Sequence, residues 1–392
     1  MTQQSGDRAA SDGAGIWPDP APHPAAGYLD AVGGQPVLPV ASRAMLAALE
    51  QGWSDPARLH HQGRRAGLVL DTSRAAIAAF LEVPASECFV GSSGLDVLRA
   101  AVAGLFAART AEGAPPRILI STVESMAVTF AANGCPGAEI VTIPVDSLGT
   151  IDAALLDREL AKGAAIACLQ QANAEVGTVQ PVEDLHGACQ SAGVPMVSEA
   201  IQVAGHHQLG SAWDASVVVP RDWGGPPGCA VLLVKSNVRW RPPEAPDRGW
   251  VGGFPDIAAA AASATAAEYV GAHWLDQARV HRSMIDRIRA ATRDWTGVHA
   301  TGDSLNRLPH IVTLVADGVV GEQVVTELDR RGIAVASGSA CTADARMPSH
   351  VLEAMGAPSG GSLRVSLPYG CSLQTVENFI DALPLALATA RG

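Results

Sequence analysis

Lysine, cysteine and histidine have the widest chemical repertoire of the side chains here, and their distribution narrows what the chain can do. Only two lysines, Lys162 and Lys235, occur among 27 basic residues, so amine-based or imine-forming chemistry has two candidates. The seven cysteines (Cys88, Cys135, Cys168, Cys189, Cys229, Cys341 and Cys371) are odd in number and scattered, with no CxxC pair. That pattern points to reduced core residues rather than a metal site or redox pair. Cys341 stands apart in Ser337-Gly338-Ser339-Ala340-Cys341-Thr342, a small-residue run with no apolar periodicity, and is the candidate nucleophile. His60, His206 and His207 lack metal-ligand spacing with other ligands, so no metal is expected. Arg364 can clamp an anion through paired N–H groups or enter a buried ion pair between domains. The adjacent Arg221 and Asp222 read either as a new polar site or as the solvated edge of a turn.

The elements that must position these groups alternate. Residues 1–26 mix Gly, Ser, Asp and Pro without apolar periodicity and are expected to form a flexible tail. Helical patterns are expected at 42–51, 68–80 and from 95. Apolar runs at 117–121, 139–144, 164–169, 195–198, 215–219 and 230–234 suit strands of a sheet covered on both faces. These predict a large α/β domain over 27–262 with a mostly parallel sheet of the seven-stranded type. One long Ala-rich helix is expected over 257–278, leading into another through Thr296, and a smaller C-terminal α+β domain is expected over 263–392 that carries the Cys341 loop. A net charge of −12 opposes nucleic acid and anionic membrane surfaces, and no apolar run is long enough to span a membrane. The first 26 residues lack the basic start and apolar stretch of a secretory signal, so a cytoplasmic location is expected.

Four ordered segments carry a family resemblance. Asp55-Pro56-Ala57-Arg58-Leu59-His60 with Gly63-Arg64 is similar to NPSSxHxxGR, and Asn173-Ala174-Glu175-Val176-Gly177-Thr178-Val179-Gln180-Pro181 to NNEIGTxQP. Gly224-Gly225-Pro226-Pro227-Gly228 resembles GGPKG. The Cys341 run resembles the SGSACS loop, followed by Leu363-Arg364-Val365-Ser366-Leu367 like RxSL. Together they resemble the cysteine desulfurases, a branch of the class V aminotransferases. The resemblance implies the fold type I architecture of pyridoxal-phosphate transferases and a homodimer with the active site between domains and subunits. It also implies a lysine in Schiff-base linkage to pyridoxal phosphate and a loop cysteine that takes substrate sulfur as a persulfide. His60 and Arg364 fall at substrate-binding positions of the family.

The family's cofactor residues map onto unexpected side chains. Counting from Asp214, the lysine position of the S-x-H-K run is Asp222, with Arg221 in place of His and Val219 in place of Ser. The key Thr of the TSGATE phosphate loop falls at Gly94, and the ring-stacking His at Ser125. The Asn near the cofactor hydroxyl becomes Ala174. The Asp of DxxQ becomes Glu199, Gln202 is retained, and the partner-donated RSGT segment reads Val251-Gly252-Gly253-Phe254, where Phe254 would help fill the phosphate site. The expectation is therefore a degenerate site that binds no cofactor. On it, the chain serves sulfur metabolism as a partner, regulator or persulfide carrier through Cys341, as a homodimer or paired with an active desulfurase, passing sulfur to an acceptor protein. Two alternatives stand beside it: a divergent but active desulfurase or sulfurtransferase, and a ligand-binding protein in the remodelled pocket.

Overall fold

The structure is a computed structural model, which describes residues 16–19, 21–337 and 349–392. The larger lobe is built on an eight-stranded sheet in the order β3-β2-β4-β5-β6-β7-β1-β8. Its strands are β1 (Cys88–Gly91), β2 (Arg117–Ser121), β3 (Glu139–Ile143), β4 (Ile166–Cys168), β5 (Met196–Glu199), β6 (Ala215–Val218), β7 (Ala230–Val234) and β8 (Trp250–Val251). Strands β3, β2, β4, β5 and β6 run parallel, whereas β7 is antiparallel to both β6 and β1. The mostly parallel sheet is as expected, and the two-residue β8 at its edge is the strand beyond seven. The central strands read as continuous apolar runs because helices cover both faces.

The covering helices are α1 (Pro39–Gln51), α2 (His61–Phe80), α3 (Gly94–Ala111), α4 (Met126–Asn133), α5 (Ala153–Leu160), α6 (Val182–Ser191) and α7 (Ile257–Gly271). Alanines bury nearly every side of α7, because their small side chains let α1 and α2 approach its backbone closely. Asp256 caps α7 by accepting the Ala259 N–H at 2.8 Å. The two helices expected here are present, but the break falls earlier than 278: α7 stops at Gly271 and α8 (Trp274–Thr292) starts afresh. At Gly271 a Cβ would stand 3.1 Å from the Phe80 ring, so the missing side chain lets α2 pack there.

The smaller lobe has a four-stranded antiparallel sheet, β11-β12-β10-β9, made of β9 (Val298–Ala300), β10 (Ile311–Ala316), β11 (Ala336–Ser337) and β12 (Ser362–Ser366). It packs on α8, α9 (Gly321–Asp329) and α11 (Leu373–Arg391), with Phe379, Leu383, Ile285 and Leu314 in the core. A short helix, α10 (His350–Ala354), precedes β12. Residues 28–30 come from the other end of the chain, yet Tyr28 bridges Ala334, Asp30 bridges Ser366, and Leu29 is buried in this second core. Trp17, within the stretch expected to be a flexible tail, is 8% exposed and packed against α7, α8 and the segment after β12.

Candidate functional site

In a parallel α/β sheet the space beyond the carboxyl ends of the strands is where ligands bind. Here those ends deliver acids. Glu124 follows β2, Glu199 closes β5, and Asp222 sits in the short 3-10 turn Pro220–Trp223 just after β6; all three are buried. Gln202 follows β5 in the next turn and donates from Nε2 to Asp222 Oδ1 at 3.1 Å. Burial pushes the Asp222 carboxyl up to about 7 against the opposing charge of Arg221, and Asp222 Oδ2 has no partner among the described residues. Arg221 itself is exposed beside it.

Glu199 accepts the Ile201 N–H at 2.7 Å and the Ser125 hydroxyl, yet burial still raises it to about 7. Ser125 also accepts from the Val128 N–H as the N-cap of α4. The position that the resemblance gives to a stacking ring is thus a hydroxyl tying α4 to Glu199. Glu124 takes the Gln170 N–H at 2.7 Å, and burial holds it well above the usual carboxylate range. Asn173 shapes the neighbouring loop by accepting the Glu175 and Val176 N–H groups, which leaves Ala174 half-buried.

A stack of rings lies against the acids. His206 donates from Nε2 to the Asp222 carbonyl at 2.9 Å and stacks on His310 at 3.7 Å and on Tyr369 at 5.0 Å. His310 in turn donates to Gln202 Oε1 at 3.3 Å, and Tyr369 to the Gly205 carbonyl at 2.8 Å. Burial lowers His206 to about 4 and His281 to about 3, and holds His310 well below its ordinary value. Sequence reasoning missed His281, His310 and Tyr369. They come from distant segments, and no local pattern joins them to Asp222.

At the phosphate-loop position, Ser93 caps α3: its Oγ accepts the Asp96 N–H at 3.2 Å and donates to the Asp96 carboxylate at 2.6 Å. The carboxylate therefore already sits in the first turn, where the helix dipole favours negative charge. A Cβ at Gly94 would lie 3.0 Å from Val219 Cγ2, so these two departures from the family pattern fit each other sterically. Ser92 and Asp96 face a cavity of about 350 Å³ shared with Arg99, Glu244, Gly252 and Gly253. Phe254 is 62% exposed and fills nothing within its own chain.

Arg364 is 3% exposed and pairs with Asp30 at 3.0 Å through Nη2, the ion-pair alternative, while its Nε has no partner among the described residues. His60 is exposed and caps α2 by accepting the Gly63 N–H at 3.1 Å. Cys341 lies outside the described residues. The other six cysteines are buried, with thiols raised to about 11 or 12, or well above the ordinary value for Cys168. Among the described residues no group of side chains could hold a metal ion, and no helix is long and apolar enough to cross a membrane.

Neither lysine reaches the acids. Lys235 follows β7, where its N–H meets the carbonyl of Asp214 at the start of β6, and its Nζ donates to the Ser211 carbonyl at 2.8 Å and lies over Trp213. Lys162 precedes β4 and pairs with Glu159. Both lie at the end of the sheet opposite Asp222.

The family described as Aminotransferase class-V matches residues 27–379. An IscS-like cysteine desulfurase from Mycobacterium tuberculosis is 33% identical over 381 residues, covering 93% of this chain and 97% of that protein. A cysteine desulfurase from Cereibacter sphaeroides is 31% identical over 91% of this chain and 94% of its own length. Among solved structures, a NifS-like protein superposes with a TM-score of 0.83 at 21% identity, over 93% of this chain and 100% of that one. Another from Rickettsia africae gives 0.82 at 20%, covering 93% and 99%.

These matches correct the expectation of no cofactor. The cysteine desulfurases are pyridoxal-phosphate proteins, so the cofactor indicated for this chain is pyridoxal phosphate. The described residues fit its ring. Glu199 offers a buried carboxyl suited to a pyridine nitrogen, Gln202 an amide suited to a ring hydroxyl, and Asp222 Oδ2 and Glu124 Oε2 are buried polar atoms lacking a partner among the described residues.

Proposed function

The chain belongs to the class V aminotransferases and, within them, to the cysteine desulfurases; from that premise we propose a sulfur-handling protein that retains pyridoxal phosphate by contacts alone, with Asp222 at the lysine position and Cys341 as persulfide carrier. The observation that carries this reading is the placement of both lysines at the far end of the sheet, while a buried aspartate bonded to Gln202 occupies the near end. Bound at the strand ends, the cofactor supplies an electron sink in its ring. Around it Glu199 holds or releases a proton at its carboxyl, Ser125 fixes the orientation of that carboxyl, and Gln202 is oriented by His310 and Asp222.

Sulfur reaches Cys341 by exchange: its thiolate attacks the outer sulfur of a small persulfide, a new S–S bond forms, and the donor leaves as a thiolate. The six buried thiols support this assignment to Cys341, because burial keeps them protonated and inaccessible. A second copy of the chain, or an active desulfurase subunit, is the proposed partner in the cytoplasm. Leu46, Leu49, Trp53, Leu59 and Leu68 of the α1–α2 region are exposed apolar side chains available to that interface.

The test is a titration with pyridoxal phosphate followed by borohydride, alongside alanine release from L-cysteine and, after incubation with glutathione persulfide as donor, cyanide-labile sulfur on Cys341. The expected result is cofactor absorbance that borohydride does not fix to the chain, alanine at background, and persulfide that disappears in Cys341→Ser. A fixed adduct at Lys235 or Lys162 would overturn the reading. Alanine release above background would favour the second reading, an active desulfurase with unlinked cofactor, which the retained Glu199 carboxyl and Gln202 support.

A further inference from the structure

We propose that the segment around Trp17 is a strap that positions the His206–Tyr369 stack beneath Asp222, with Trp17 as its positioning residue. Trp17 stacks on Tyr269 of α7 at 5.2 Å with the rings 10° from parallel, and its Nε1 donates to the buried Gln277 Oε1 of α8 at 2.7 Å. The same ring meets the edge of Tyr369 at 5.4 Å. One side chain thus joins two helices to the loop that leaves the small-lobe sheet.

The neighbouring residues repeat the bridge. Ile16 packs against the hydrophobic cores of both lobes, and the Tyr269 hydroxyl donates to the Pro18 carbonyl at 2.8 Å. The Pro22 carbonyl lies so close to Gly370 that a Cβ there would stand 2.5 Å from it. From Tyr369 the contacts run inward: its ring stacks on His206, its hydroxyl holds the Gly205 carbonyl, and His206 holds the Asp222 carbonyl. Gly205 has φ +84°, and a Cβ on it would meet the Tyr369 hydroxyl at 2.6 Å, so this close approach is built into the backbone.

Without Trp17, Tyr369 loses an aromatic neighbour, and the seam between α8 and the loop after β12 opens to water. An indole ring closes it because it fills the gap between Tyr269, His273 and Tyr369 while its single N–H finds Gln277. The assignment of a binding role to Asp222 rests on the proposed function; the coupling of the strap to the stack does not.

Hydrogen exchange on the full chain without added cofactor tests it. In Trp17→Ala, amides of 200–207 and 367–371 are expected to exchange at least about tenfold faster while those of 311–316 stay at the wild-type rate. Trp17→Phe, which keeps the stacking and loses the Gln277 bond, is expected to restore most of the protection. Phe379→Ala, a core truncation in the small lobe, controls for plain loss of stability and is expected to speed 311–316 at least as much as 200–207. The proposal falls if Trp17→Ala changes exchange only at 16–24 and 269–277, or raises it equally everywhere. Because no cofactor is present, either outcome leaves the borohydride result for the proposed function untouched.

Discussion

Replacing Asp222 by asparagine should shift stability in the variant's favour as the pH rises from acid to neutral. The carboxyl has an ordinary value of 3.8 and is raised by burial to about 7 in the fold. A group raised in the folded state contributes stability that is present below its unfolded value and is lost as pH rises through its folded value. Each pH unit in that window is worth about 1.4 kcal/mol, so the wild type gives up about 4 kcal/mol between pH 3.8 and 7 through this one residue. Asparagine stays neutral throughout, and its Oδ1 still accepts the Gln202 amide. Whatever constant cost the new NH2 group brings, the difference between variant and wild type should shift in favour of Asp222→Asn by about 2 kcal/mol from pH 5 to pH 7. Urea unfolding of both proteins at half-unit steps from pH 5 to 8 reads this difference directly. A difference that stays flat, or moves the other way, would mean that Asp222 is ionised and matched by a cation at neutral pH, and the account of its carboxyl as raised by burial would be refuted.

Asp222→Lys places an amine beside Gln202 at the strand ends, and the variant with added pyridoxal phosphate is expected to give a borohydride-stable adduct at residue 222 that peptide mapping finds only there. On the acid side the sign reverses. His206 and His281 are lowered to about 4 and about 3, so their stabilisation is present above 6.5 and lost as pH falls through those values; His206→Gln should flatten the decline in melting temperature below pH 6. Phe379→Ala, buried between α11 and the small sheet, should cost about 3 to 5 kcal/mol by urea unfolding. Gly361→Ala should also destabilise, because a Cβ there runs into the Ala316 carbonyl, a backbone group that the β10–β12 pairing holds in place.

Much of the large lobe was legible because its signals are local. Continuous apolar runs of five residues at 117–121, 215–219 and 230–234 suit strands covered on both faces, and each was found within a residue or two. β1 at Cys88–Gly91 was missed because four residues between a turn and a glycine-rich loop have too few positions to show a period. The break between the two helices was placed near 278 rather than after Gly271 because an alanine run carries no periodic signal of where it stops; at Gly271 the absent Cβ leaves room for the Phe80 ring. In the site, counting residues from Asp214 placed Asp222 after β6, where the turn indeed sits, because strand length and chain order fix that count.

The sequence by itself determined the order of the elements, the family, and the scarcity of lysine, since each is a property of residues read in a line. Tertiary structure alone decided what surrounds Asp222. Gln202 and His206 from one turn, His310 and Tyr369 meet there from three separate segments, Arg364 finds Asp30 across 334 positions, and Trp17 finds Gln277 across 260. Such pairs leave no periodic trace, because what brings them together is the burial of whole faces of sheet and helix, and only the folded packing sets which side chains then lie within hydrogen-bonding distance.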